Sequence, residues 1–220
     1  MLKLIESYAA ELEAIGSEPP PAPRWNQDWF ARLDAAAAYA MVRGTRPRRI
    51  VEVGCGHSTR FLARAVADGG LDTKITAIDP RPRASLSGLK VEWLQTHVET
   101  LHHGPFAALG KDDILFIDSS HQLKPGSDVE FLMQEVVPRL PSGVRVHFHD
   151  IFLPDDYPGQ WAWRRYNEQA EVKKLIDAGV FRVDFSSHAV VASTQKMSGV
   201  LARLPLMPGA VESSLWLTKN

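Results

Sequence analysis

The chain has 220 residues, 45% hydrophobic and 23% charged, the balance of one globular α/β-sized domain. Its formal net charge of −1 offers no general attraction to nucleic acid or anionic lipid, and its single cysteine, Cys55, excludes a disulfide framework and a multi-thiolate metal centre. It has no apolar run of about 18 residues and no basic stretch leading into an apolar one, so a cytoplasmic protein without a membrane partner is expected.

In chain order, the spacing of Leu2, Ile5, Ala9 and Leu12 predicts a short amphipathic helix. SEPPPAP, residues 17–23, breaks it, because consecutive prolines lack donors and favour extended backbone. An alanine-rich helix is predicted over residues 27–42, with Gly44 near its end. Residues 1–46 therefore read as a helical extension with a Pro-rich linker, ahead of one domain over 47–220. Trp25 and Trp29 in this extension suit either a lid over a site or a homodimer contact.

From Arg49 onward strands alternate with helices. RIVEVG, KITAID, VEWLQ, DDILFID and VRVHFHD read as strands; STRFLARAVADGG and DVEFLMQEVVPRL read as helices. The tail adds VFRVDFSS and SSLWLTKN, two late strands separated by a long non-helical segment containing Pro205 and Pro208. The expected fold class is α/β: a Rossmann-like, doubly wound, mostly parallel sheet of seven strands, closed by an antiparallel edge strand.

VEVGCGHST places Gly54 and Gly56 between the first strand and first helix, where backbone can approach a ligand closely. A dinucleotide fingerprint would need a third glycine where Thr59 stands, and a P-loop would need a lysine. Ser58 suits the helix N-cap. KITAID ends in Asp79, an acid able to accept from both ribose hydroxyls. A glycine loop with a ribose acid and no phosphate machinery suits a nucleoside lacking pyrophosphate.

These residues resemble the class I S-adenosylmethionine-dependent methyltransferases. Glu52-Val53-Gly54-Cys55-Gly56 looks like their first motif, and Asp79 falls where their ribose-binding acid is expected. The likeness continues through IDPRP, DILFIDSSH, HDIFLPDDYP and WRRYNEQ, in the manner of a bacterial branch whose substrates are mostly unassigned. The resemblance implies that Glu52, Gly54, Cys55 and Gly56, with Ser58 and Thr59 behind them, hold the methionine part of S-adenosylmethionine. Asp79 and Pro80 would take the ribose, and His97 and Val98 would flank the adenine. Thr96-His97 stands where many relatives carry an adenine acceptor, so a backbone carbonyl is the substitute.

DSSH and VHFHD each run a strand into a carboxylate and an imidazole. Ligands in such sheets bind beyond the carboxyl ends of the strands, and the strand order that the resemblance implies makes the strands ending in Asp118 and Asp150 neighbours, so these two should meet beside the reactive sulfonium. His121 is the first choice for the base that takes the acceptor's proton, with Asp118 and His149 in support. The rival use is a divalent metal, Mg²⁺ or Mn²⁺, on Asp118, His149 and Asp150. Ile151 stands where metal-dependent relatives carry Asn, and strand alternation would part His149 from Asp150 unless the strand ends there. His147 is read as a packing residue. Asp155, Tyr157, Trp161, Trp163 and Arg164, in the aromatic stretch after the last parallel strand, are acceptor-site candidates. The expected activity is methyl transfer to a small molecule, most simply at oxygen. A metal-dependent enzyme of another reaction type and a non-catalytic nucleoside-binding module are the alternatives.

Overall fold

Runs of aliphatic and β-branched residues build a seven-stranded sheet in the order β3-β2-β1-β4-β5-β7-β6. The computed structural model describes residues 1–220. The parallel strands are β1 (Arg49–Val53), β2 (Lys74–Ile78), β3 (Glu92–Leu94), β4 (Ile114–Ile117) and β5 (Arg145–Phe148). Of the late strands β6 (Phe181–Ser186) and β7 (Leu215–Lys219), only β7 is reversed: it is inserted between β5 and β6 and pairs antiparallel with both.

Alternation along each strand divides the core in two. Ile50, Phe116 and Trp216 point to one face, and Val51, Leu115, Ile117 and Leu217 to the other. The first face is covered by α3 (Arg32–Thr45) and α4 (His57–Asp68), whose Leu33, Tyr39, Phe61 and Leu62 are fully buried. Along α3 small alanines lie buried in succession, which lets the helix sit close to its neighbours. The second face takes Val129, Leu132 and Val136 from the helix after β4, and Val172 from α6 (Glu168–Asp177).

Three local predictions change. The first helix is broken into α1 (Leu2–Glu6) and α2 (Ala9–Ala14), and at the break the Ser7 hydroxyl donates to the Leu4 carbonyl, diverting it from continuing the helix. The alanine-rich helix begins at Arg32 rather than near residue 27, because the Gln27 side chain accepts from the backbone N–H groups of Trp29 and Phe30 and folds the segment as a turn. The segment between the late strands is not free of helix: α7 (Ser187–Ser193) and α8 (Val200–Arg203) lie within it. The helix after β4, α5 (Asp128–Phe131), widens to π-type turns over Leu132–Val136, where Pro138 lacks the N–H that regular winding needs.

Residues 1–46 share the core of the first sheet face. Ile5, Leu12, Trp25 and Phe30 are buried with Phe61 and Phe116, and Trp25 packs 5.0 Å from Phe61 while donating its indole N–H to the Leu12 carbonyl. Trp25 is thus a core residue, neither lid nor dimer contact. No helix is long and apolar enough to cross a membrane.

Candidate active site

At the carboxyl end of β1 the chain must turn where β4 also ends. Gly54 has φ of +79°, and a Cβ there would lie 1.8 Å from the Asp118 carbonyl oxygen. Only glycine admits that approach. This is the switch point of the sheet, between β1 and β4, where the crevice of a doubly wound fold opens. A cavity of ≈ 860 Å³ lies there, lined by Gly54, Cys55, Asp79, Pro80, His97, Val98 and Asp118 among others.

Asp79 is fixed by its neighbours: its two oxygens accept from the N–H groups of Cys55 (2.8 Å) and Arg81 (2.7 Å). Each carboxylate oxygen keeps a further lone pair for a ligand hydroxyl. Four residues expected at the cofactor stand behind this wall. Glu52 is fully buried, accepts from the Ser58 hydroxyl at 2.6 Å, and has its second oxygen unpartnered. Burial pushes its carboxyl up to about 8. Thr59 accepts from the N–H of Gly56 at 2.9 Å and so ties down the first turn of α4; Gly56, not Ser58, holds the N-cap position. Cys55 is buried and its thiol is pushed far up by desolvation and nearby carboxylates, so it is no nucleophile.

A second pocket of ≈ 170 Å³ adjoins the first, and Asp118 and Arg83 line both. Its wall includes His121, His149 and Asp150. Strand β5 ends at Phe148, and Asp150 turns left-handed with φ of 54°, so His149 and Asp150 reach the same pocket instead of diverging. His121 Nε2 lies 3.3 Å from Asp118 and 3.6 Å from Asp150; His149 Nδ1 lies 3.4 Å from each of the same two carboxylates. The far side of each ring meets another acid. Glu168 lies 2.8 Å from His121 Nδ1, and Asp34 lies 3.5 Å from His149 Nε2. Opposing these, burial disfavours charge on both rings, yet the surrounding carboxylates hold both well above the ordinary histidine range. Asp118 is correspondingly held far below the ordinary carboxylate range by His149 and His121.

His147 belongs to the core instead. It stacks 3.7 Å from the Phe116 ring, bonds Ser214 through Nε2, and is driven toward its neutral form by burial.

A metal does not fit Asp118, His149 and Asp150 as they stand. No three His, Cys, Asp or Glu side chains are arranged to hold a metal ion. Imidazoles fill the space between the carboxylates, and in their charged form they have no lone pair to give a metal.

The segment Asn167-Glu168-Gln169 ties the site together. Asn167 bonds both the N–H and the carbonyl of Leu123; Glu168 holds the His121 ring; Gln169 accepts from Phe152 N–H and donates to the Asp155 carbonyl. The N–H groups of Asn167 and Glu168 also donate to the His121 carbonyl, gripping a residue whose φ is 58°. Glu168 and Asp34 were missed in the sequence, since an acid at a helix start ordinarily reads as a solvated dipole partner.

Of the acceptor candidates, Trp161 and Arg164 line the second pocket, with Trp29 and Tyr166 beside them. Asp155 instead pairs with His188 at 2.7 Å, Tyr157 accepts from the Gln169 N–H, and Trp163 is 75% exposed.

Residues 51–151 match the profile of a family described as a methyltransferase domain. No curated protein matches the chain in sequence. Among solved structures, the methyltransferase PaMTH1 of Podospora anserina, bound to SAH, is 17% identical with a TM-score of 0.54, over 99% of this chain and 88% of that one. The O-methyltransferase of Bacillus cereus in complex with SAH is 13% identical with a TM-score of 0.52, over 100% and 90% of the two chains. A Mg-SAM form of cmcI is 17% identical with a TM-score of 0.53, over 94% and 88%. The sheet order and the cavity at its switch point are those of a Rossmann-like fold, and residues 51–151 within it match the methyltransferase-domain profile.

Proposed function

We propose that the protein transfers the methyl group of S-adenosylmethionine to a hydroxyl oxygen of a small molecule. The observation that carries this reading is the pair of joined cavities, the larger at the glycine loop and Asp79, the smaller at a histidine–carboxylate cluster, with Asp118 common to both. In this reading Gly54 and Cys55 lie against the methionine part, Asp79 and Pro80 hold the ribose, and His97 and Val98 flank the adenine. Glu52, Gly56, Ser58 and Thr59 act on the cofactor only through the loop they brace.

The cofactor supplies a methyl group on a sulfonium leaving group. The chain's own task is to set the acceptor oxygen in line and to take its proton. His121 Nε2 is the proposed proton acceptor. A charged imidazole cannot accept, so His121 must first release to solvent the proton that Asp118, Asp150 and Glu168 hold on it. A positive charge bound beside Asp118 would oppose that proton and so would favour the neutral ring. Once His121 has received the acceptor's proton, Glu168 at Nδ1 stabilises the imidazolium. His149 keeps Asp118 and Asp150 apart and neutralises their mutual repulsion. Trp161 and Arg164 bound the acceptor. A cytoplasmic location is part of the proposal.

Calorimetry with S-adenosylmethionine and S-adenosylhomocysteine tests the core of this reading. Both should bind the wild type, and Asp79→Ala should weaken each about tenfold or more, since hydrogen bonds to a charged acceptor are lost. If neither ligand binds the folded wild type, the reading fails.

A further inference from the structure

The second pocket combines cations and aromatic rings above its acid–imidazole floor. Arg164 has no carboxylate partner. Its guanidinium lies 4.4 Å from the Trp161 ring centroid, 5.1 Å from Trp163 and 5.5 Å from Tyr166, and donates to the Tyr166 hydroxyl at 2.9 Å. Its Nε is buried without a hydrogen-bond partner. An aromatic cage of this kind holds a guanidinium in place without neutralising it. A second guanidinium, Arg83, reaches the same pocket from the loop after β2, stacked 4.0 Å over Trp29, and it too makes no ion pair.

The charge of the lining follows. Asp28, Asp118 and Asp150 are its carboxylates, set against two guanidiniums and the imidazoles of His121 and His149. Asp118 and Asp150 are already engaged with those imidazoles, which leaves Arg83 and Arg164 facing Asp28 alone. The cavity of ≈ 170 Å³ is well below the roughly 300 Å³ at which sites for drug-sized ligands begin, and Trp29, Trp161 and Tyr166 give it flat apolar walls.

Resting on the methyl-transfer reading, we infer that the acceptor is a small hydroxylated acid with a single ring, its carboxylate or phosphate held by Arg164 and its hydroxyl directed to Asp118 and His121. A planar guanidinium with free donors matches either anion in two-point fashion. A neutral acceptor of the same shape would leave the half-buried Arg164 guanidinium without a charged partner.

The test uses the protein saturated with S-adenosylhomocysteine and calorimetric titration with matched pairs: protocatechuate against protocatechuyl alcohol, and glucuronate and glucose phosphate against glucose. The first pair and the second set separate aromatic from sugar acids and carboxylate from phosphate. At least one acid should bind about tenfold or more tightly than its neutral partner. Arg164→Met should abolish that preference with affinity for S-adenosylhomocysteine unchanged, and Arg164→Lys should retain part of it. Equal binding of acids and neutral partners, binding of none of them at millimolar concentration, or a preference that survives in Arg164→Met would each overturn the inference. Failure of S-adenosylhomocysteine itself to bind would instead sink the methyl-transfer reading.

Discussion

Glu168 is the carboxylate nearest the His121 ring. It is fully buried, reaches Nδ1 at 2.8 Å, and accepts a second hydrogen bond from the Ser119 hydroxyl. A carboxylate there fixes which ring nitrogen faces the pocket and favours the charged ring. Glu168→Gln keeps the shape and removes the charge, so the titration midpoint of His121, followed by NMR of its ring protons, should fall relative to wild type. Affinity for S-adenosylhomocysteine should stay within about twofold, because Glu168 does not line the larger cavity. An unmoved midpoint would mean that Glu168 only packs. The sequence offered Asp118, His121, His149 and Asp150, because two strands ended in the same pair of residue types. It did not offer Glu168 or Asp34, because each becomes a partner only when a distant helix start is folded onto a strand end. Nor could it show that Glu52 lies behind the loop, since burial depth at a strand end has no local pattern.

At the scale of elements, the parallel sheet was legible because its central strands β1, β2 and β4 are buried on both faces and read as near-continuous apolar runs. The N-terminal segment was less so, because its docking depends on the far end of the chain. Arg32 at the start of α3 pairs with Glu212 at 3.0 Å, and Glu212 also accepts from the Leu33 N–H at 2.7 Å. Asp34 accepts from the N–H groups of Ser213 and Ser214. The segment before β7 thus caps the helix that the sequence assigned to an extension. Glu212→Ala leaves a largely buried guanidinium and a helix N–H without their partner, which should cost about 3 kcal/mol in urea unfolding. Glu13→Ala removes an exposed pair with Arg203 and should leave the midpoint unchanged. Equal effects of the two substitutions would show that the clamp adds nothing to docking.

Across the whole molecule, two cavities share one carboxylate, and under the proposed function that would make cofactor binding a proton-linked event. Asp118 reaches both pockets and lies within 3.4 Å of both imidazoles, so it holds protons on them from within the cofactor's reach. Both rings are held above the ordinary histidine range by the carboxylates around them, which favours their charged forms in the free protein. A cation beside Asp118 competes for the same carboxylate and lowers the affinity of both rings for protons. The sign then follows from linkage: a ligand that binds the less protonated state releases protons and binds more tightly as pH rises. S-adenosylmethionine carries the sulfonium charge and S-adenosylhomocysteine does not, while the rest of the two molecules is alike. Calorimetry of each ligand in two buffers of different ionisation enthalpy separates the proton term from the binding heat. S-adenosylmethionine should release more protons than S-adenosylhomocysteine, and Asp118→Asn should abolish the difference by removing the shared charge. Equal release by the two ligands in the wild type would show that the imidazoles do not sense the larger cavity, and would remove the link by which His121 becomes a base.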